Sequence, residues 1–405
     1  MENTRPVPVP LPARSLVGLT AGLLIWTLFV GWNLWNPENA LIYRDIPRMV
    51  LPNLWSMHSA MKGGFIPFLE LQKGGGMPFL FDPQTASWYP LAWLAASLDL
   101  DWGFRLHQFF HLFWLGLGFA ALALSWRLSL GSACFVGMTG IAAIPHLHAL
   151  EWIAITAGLS WVPWSFVAAT LGRPLLWTLA LTLSVLSGHA YLWVMMPILA
   201  LTGLALASQE SRRKFLLGLL FVPALTFPQW AGYLSTVSEM TSHGIQSSVS
   251  PIITGVEPGH LLNFLSPKAF RDFLFGAADG RIQEFTYWGP FGWARQCYVG
   301  LLPLLLLLLG RPWQTRQGKV LFIPALAGLV MSTSPSWLPA SLSGIFRHIH
   351  HPATFIQLTM WATMLLGAIA FDQCLKEQLL PSGKALLFTI VFAGFWWVHG
   401  SLADR

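Results

Sequence analysis

The chain has 405 residues, of which 55% are hydrophobic and 10% charged, with a formal net charge of +6 and a mean hydropathy of +0.57. Soluble domains carry about 25% charged residues, so this composition cannot cover a water-facing surface and excludes an ordinary soluble enzyme. The positive balance is not a nucleic-acid signal; it matches Lys and Arg gathered in the cytoplasmic loops of a membrane protein.

The 22 Trp and 28 Phe suit two membrane interfaces, where aromatic rings settle at headgroup depth. Cys134, Cys297 and Cys374 lie in or beside different apolar runs and form no CxxC pair, which predicts buried free thiols.

Residues 1–14 are rich in proline and predict an extended, solvated tail. Arg5 and Arg14 precede an apolar run from Ser15 to Trp35 that lacks a small-residue cleavage site, the pattern of a retained signal anchor with a cytoplasmic N-terminus. Residues 37–102 are too polar and too rich in Gly and Pro to cross a bilayer, and predict a large, partly helical outer loop containing interfacial helices. Apolar runs follow at 103–126, 131–147, 150–171, 174–188, 190–207, 214–233, 297–310, 319–333, 353–371 and 384–399. With the first run they give about eleven transmembrane helices.

Arg127, Arg173, Arg212-Arg213-Lys214, Arg311, Arg316, Lys319, Lys376 and Lys384 fall between alternate runs, so one assignment puts them all on the side of Arg5 and Arg14. The other face then receives 37–102, the corner Pro145–Glu151, Gly188-His189, residues 234–296 and 334–352, and the C-terminus. That face holds the large loops and nearly all the His, so function belongs there. Residues 234–296 carry turn signals at Ser250-Pro251 and Glu257-Pro258-Gly259 and apolar patches, which predict short helices lying on the membrane. No segment reads as soluble, so 1–405 is predicted to be one all-α polytopic membrane domain.

Several stretches carry a family resemblance in order along most of the chain. An Asp shortly after the first span is followed by KGGFIP, KGGGMPF and DPQTASWYPL, then LSWVPWSF, LSVLSGHAYLW, PGHLLNFLSP, YVGLLPLLLLLLG and IFRHIHHPATFIQLTMWA. This order resembles the YfhO-type family of bacterial membrane proteins, in the GT-C class of integral-membrane glycosyltransferases. The resemblance implies a multi-pass protein of the bacterial cytoplasmic (inner) membrane. It would transfer a sugar from a polyprenyl-phosphate carrier to a cell-envelope acceptor at the extracytoplasmic face, with Asp45 as general base. The sequence departs from the family where Arg44 precedes Asp45 and Glu38 is the nearest other carboxylate, and where the usual P-L-W-N-P reads IPFLEL.

Inverting transfer to a hydroxyl needs a carboxylate to remove the acceptor proton and cations or a metal to hold the departing phosphate. Asp45 follows a span by about ten residues, at headgroup depth, and Arg44 and Arg48 beside it would keep it ionised or bind the phosphate; the alternative is a solvated interfacial cluster. Arg105, His107 and His111 would line a lipid-phosphate entrance or cap a helix beneath the loop. His146, His148 and Glu151 offer ligand types for a divalent metal, in a spacing that is not an established zinc signature; hydrogen-bonded structure is the other reading.

His189 and Tyr191, after Gly188, would face the cavity. Arg347, His348, His350 and His351 would recognise the donor's phosphate or anchor anionic headgroups. Glu257 and His260 resemble the family's outer-loop region and would belong to a lid.

No apolar run carries Asp, Glu, Lys or Arg near its middle, which weighs against an ion-coupled transporter. A non-catalytic GT-C-like subunit of a membrane assembly, with membrane protein partners, is the main alternative. The sequence leaves any metal, the sugar and the acceptor open.

Overall fold

The computed structural model describes residues 12–36, 46–69, 78–242, 301–332 and 352–379, and every regular element among them is helical. In chain order these are α1 (Ala13–Val30), α2 (Trp32–Trp35), a π-helical turn at Ile46–Val50, α3 (Leu51–Gly63), α4 (Pro90–Ser97), α5 (Leu100–Ser125), α6 (Leu130–Ala142) and α7 (Ile144–Ala149). Then come α8 (Ile153–Thr170), α9 (Pro174–Leu186), α10 (Ala190–Leu206), α11 (Arg212–Ser242), α12 (Leu301–Leu309), α13 (Arg316–Ser332) and α14 (Ile356–Lys376).

The helix starts are written locally. Asp99 accepts from the backbone N–H groups of Asp101 and Trp102 to cap α5, and Ser129 accepts from Ser132 to cap α6. Pro90 and Pro174 occupy the first turns of α4 and α9, where a missing N–H costs nothing.

Among the described residues five helices are long and apolar enough to cross a membrane: Ala13–Val30, Leu100–Ser125, Ile153–Thr170, Arg212–Ser235 and Ile356–Lys376. About eleven runs were expected to span, and among the described residues the remaining runs form shorter helices. The run 131–147 breaks at Ala143, whose ψ of 125° leaves the helix just ahead of Pro145. The runs 174–188 and 190–207 are separated by Gly188, at φ +103°. The helices α6 and α9 have 13 residues each and rise about 20 Å. The runs 297–310 and 319–333 are described only in part, as α12 and α13, and 384–399 lies outside the described residues.

The bundle packs around α5 and α8. Where α5 meets α6, Gly116 and Gly137 face each other so closely that a Cβ on either would lie 3.0 Å from the other's carbonyl oxygen. Such small-residue contacts let helix backbones approach where no water drives them together.

The contacts also sort the helix termini into two ends. At one end Trp126 Nε1 donates to Thr170 Oγ1 (3.2 Å), and the Arg311 N–H donates to Gln373 Oε1 (2.8 Å). There too Asp372 accepts from the Ser129 N–H (2.7 Å) and pairs with Lys376 (2.6 Å). Arg316 donates at this end to the carbonyls of Ala205 and Ala207, each at 3.0 Å, closing the C-terminus of α10. At the other end Gln108 Nε2 donates to the Leu150 carbonyl (2.6 Å) and Trp361 Nε1 to His146 Nε2 (2.8 Å). Cys134 and Cys374 are free thiols, as expected; Cys297 lies outside the described residues.

The first loop has its own apolar core. Ile46, Val50, Leu54 and Met57 pack with Phe79, Tyr89, Ala92 and Ala96, and this cluster rests on Phe104 of α5 and on Ile153, Ala154 and Ala157 of α8. The loop is thus partly helical, through α3 and α4, and built onto the ends of the spans.

Candidate functional site

The motif DPQTASWYPL makes a compact turn through its own polar groups. Asp82 accepts from the Gln84 N–H at 2.8 Å, Thr85 Oγ1 donates to the Asp82 carbonyl at 2.8 Å, and Ser87 Oγ and Trp88 Nε1 donate to the Leu80 carbonyl at 2.9 and 2.8 Å. This turn lies against the α9–α10 junction, where a Cβ on Gly188 would come within 3.0 Å of the Pro83 carbonyl carbon. The next residue, His189, is buried and stacks near Tyr191 (4.8 Å between ring centroids), and Tyr191 meets Phe355 edge-on at 5.9 Å just before α14. The corner after α6 joins the same end, since His146 of α7 contacts Trp361 of α14. Three motifs singled out in the sequence, DPQTASWYPL, SGHAYLW and PHLHALEW, therefore meet with the start of α14 at one end of the bundle.

The buried polar groups there are organised by direction. The Ser160 hydroxyl donates to the Ala157 carbonyl at 2.7 Å, so it accepts from His111 Nδ1–H at 2.9 Å. That leaves His111 Nε2 as an acceptor, and Tyr89 O–H donates to it at 3.3 Å. The Tyr89 oxygen in turn accepts from Trp161 Nε1 at 2.8 Å. Burial pushes the Tyr89 phenol well above its ordinary value of 10, so it stays a donor. One neutral imidazole, with both nitrogens used, therefore links the loop to α5 and α8.

His146 is held the same way. Nδ1 donates to the Gly140 carbonyl at 2.6 Å and Nε2 accepts from Trp361. Burial lowers its pKa from 6.5 to about 4, so the ring is neutral at physiological pH. Both nitrogens being occupied, His146 has no lone pair for a metal. Glu151 is buried (4% exposed) and engaged, and His148 is placed only as part of α7. Among the described residues no three His, Cys, Asp or Glu side chains gather to hold a metal ion.

Arg105 does not line an open entrance. It is 2% exposed. Its Nε and Nη2 hold both oxygens of Asp101 at 2.7 and 3.1 Å, and Nη1 donates to the carbonyls of Leu34 and of Asn36, the latter at 2.9 Å. His107 and His111 are likewise buried, with ring centroids 4.3 Å apart. Arg105 and His111 are thus bonded to Asn36 and Tyr89 above them, while His107 Nδ1 meets Gln108 Oε1 on the same helix at 3.3 Å. Arg48 is exposed on the π-helical turn.

Arg44, Asp45, His260, Arg347, His348 and His350 lie outside the described residues, as do Glu38, Glu257 and His351. Sequence reasoning did not single out Tyr89, Gln108, Ser160, Trp161 or Trp361, which do much of the polar bonding at this end. Tyr89, Ser160, Trp161 and Trp361 stood within quoted motifs, but only contacts between distant parts of the chain give them a role.

No protein-family model, curated protein or solved structure matches the chain.

Proposed function

We propose that the chain is a membrane glycosyltransferase of the GT-C type, similar to the YfhO-type family, with about eleven spans in the bacterial cytoplasmic membrane. It moves a sugar from a polyprenyl-phosphate carrier to a cell-envelope acceptor at the extracytoplasmic face, with Asp45 removing the acceptor proton. The observation that supports this reading most is the meeting of the first loop, the α7 corner, the α9–α10 junction and the start of α14 at the end opposite the Lys and Arg clusters. A lipid-linked donor requires such an arrangement, since its chain stays in the bilayer while its sugar is presented at the water boundary. Arg48, His189 and Tyr191 are the described residues assigned to the substrate, together with Arg44, His260, Arg347, His348 and His350.

The test is release of polyprenyl phosphate from a labelled lipid-sugar pool by the purified protein in lipid nanodiscs. Wild type releases it and Asp45→Asn abolishes release at unchanged yield and unchanged melting temperature. An active Asp45→Asn removes that residue from the mechanism.

A second reading, a non-catalytic GT-C-like subunit, is favoured by the use of both ring nitrogens of His111 and His146 in internal bonds. Wild type that releases nothing from pools of several sugars, yet co-purifies with a membrane partner, would establish it.

A further inference from the structure

We infer that Arg105 and His111 are positioning residues that mount the first loop on α5 as a preformed platform, and that neither binds the donor. The purpose of the platform rests on the glycosyltransferase reading; its geometry does not.

The two residues hold opposite ends of the loop. Arg105 grips the backbone where α2 ends, through the carbonyls of Leu34 and Asn36, and is itself fixed by both oxygens of Asp101 one turn earlier on α5. His111 grips the far end, through Tyr89 at the start of α4. The anchors are six residues apart on one helix, about 9 Å along its axis. Between them the loop is bound to itself, since His58 Nδ1 of α3 donates to the Ala96 carbonyl of α4 at 2.7 Å and Leu54 and Met57 sit in the loop's apolar core.

A lid that opens must break few buried polar bonds. Lifting this loop would strand the buried Tyr89 hydroxyl, a buried histidine nitrogen, part of a buried guanidinium and the half-buried Trp161 indole N–H. The described segments 46–69 and 78–97 are therefore a fixed surface, against which a donor and an acceptor can be aligned without a closing step. Misplacement of a reacting group by about 1 Å lowers a rate by about 100-fold, so loosening such a mount acts on turnover more than on binding.

Hydrogen exchange and transfer, measured on the full-length protein in nanodiscs, test this separately. Tyr89→Phe keeps the ring and removes the hydroxyl; amide exchange is expected to rise in 78–97 and to stay unchanged in 153–170 and 356–376. Unchanged exchange in 78–97, or a rise spread evenly through the spans, overturns the inference. Should Tyr89→Phe fail to fold, Arg105→Lys reads the other anchor, because the three donors of an ammonium cannot replace the guanidinium's four contacts to the two Asp101 oxygens and two carbonyls. A rise confined to residues 34–36 and 46–63 then supports the inference and any other pattern overturns it.

In the transfer assay kcat falls about 10- to 100-fold in either variant while KM for the lipid-sugar stays within about two-fold. A selective rise in KM makes Arg105 or Tyr89 a binding residue and overturns it. Locally increased exchange in a protein whose wild type transfers no sugar leaves the mount standing and defeats the enzyme reading instead.

Discussion

His146 could have served as a metal ligand, a base or a structural tie, and its two nitrogens decide among them. One donates to the Gly140 carbonyl and the other accepts from Trp361, an arrangement open only to the neutral ring. The sign of its pH dependence follows. With its pKa lowered from 6.5 to about 4 in the folded chain, the ring is neutral in both states above about pH 6.5 and adds no pH dependence there. Below that the unfolded chain binds a proton that the folded chain refuses until about pH 4, so stability falls as pH drops through this window. The melting temperature in detergent should decline between pH 6.5 and 4, and His146→Phe should flatten that decline. The same variant should melt lower at neutral pH, because the Trp361 indole and the Gly140 carbonyl lose their partner, at roughly 1–3 kcal/mol for each group left buried and unpaired. A decline as steep in the variant as in wild type would show that other groups carry the acid sensitivity.

At the scale of elements, two junctions carry weight that their length does not suggest. Gly188 combines a φ of +103° with contact distances that leave no room for a methyl group, since the Pro83 carbonyl and Gln229 Nε2 crowd its Cα. Gly188→Ala should therefore cost at least about 1–3 kcal/mol in backbone strain and displace the DPQTASWYPL turn, seen as a lower melting temperature and faster proteolysis between residues 78 and 97. At the opposite end Asp372 of α14 accepts from the first turn of α6 and pairs with Lys376. Asp372→Ala leaves the Ser129 N–H without that acceptor and should cost about 1–2 kcal/mol, a loss typical of a removed helix cap. Its effect should appear as increased exchange at the start of α6, with the first loop unchanged. An equal effect at both ends would mean that the ends are coupled more tightly than their separate bonding implies.

At the scale of the whole molecule, the two-ended bundle makes a topological prediction. With the three native cysteines replaced, single cysteines at Arg173 and Gln314 should share one side of the membrane, and cysteines at Gln84 and Ser97 the other. A membrane-impermeant maleimide on intact cells should label the second pair alone, and labelling of one member from each pair would break the topology. Much of this organisation was legible in the chain itself. Low charge, long apolar runs and the spacing of Lys and Arg announced an all-helical membrane protein with a large first loop, because such patterns follow from the cost of moving charge out of water and need no knowledge of neighbours. Helix ends were read less well, since an apolar run such as 131–147 does not show where backbone geometry ends a helix; Ala143 does that through its dihedral angles. The roles of individual polar residues were beyond the sequence. Arg105, His107 and His111 look like ligands when written in a line, and only packing shows that Arg105 and His111 are bonded beneath the loop. A hydrogen bond between Tyr89 and Trp161 depends on three-dimensional proximity that no local pattern encodes. The sequence alone determined the apolar, helical character of this chain, and tertiary structure decided which of the described polar groups remain available for chemistry, because availability is what is left after internal partners have been satisfied.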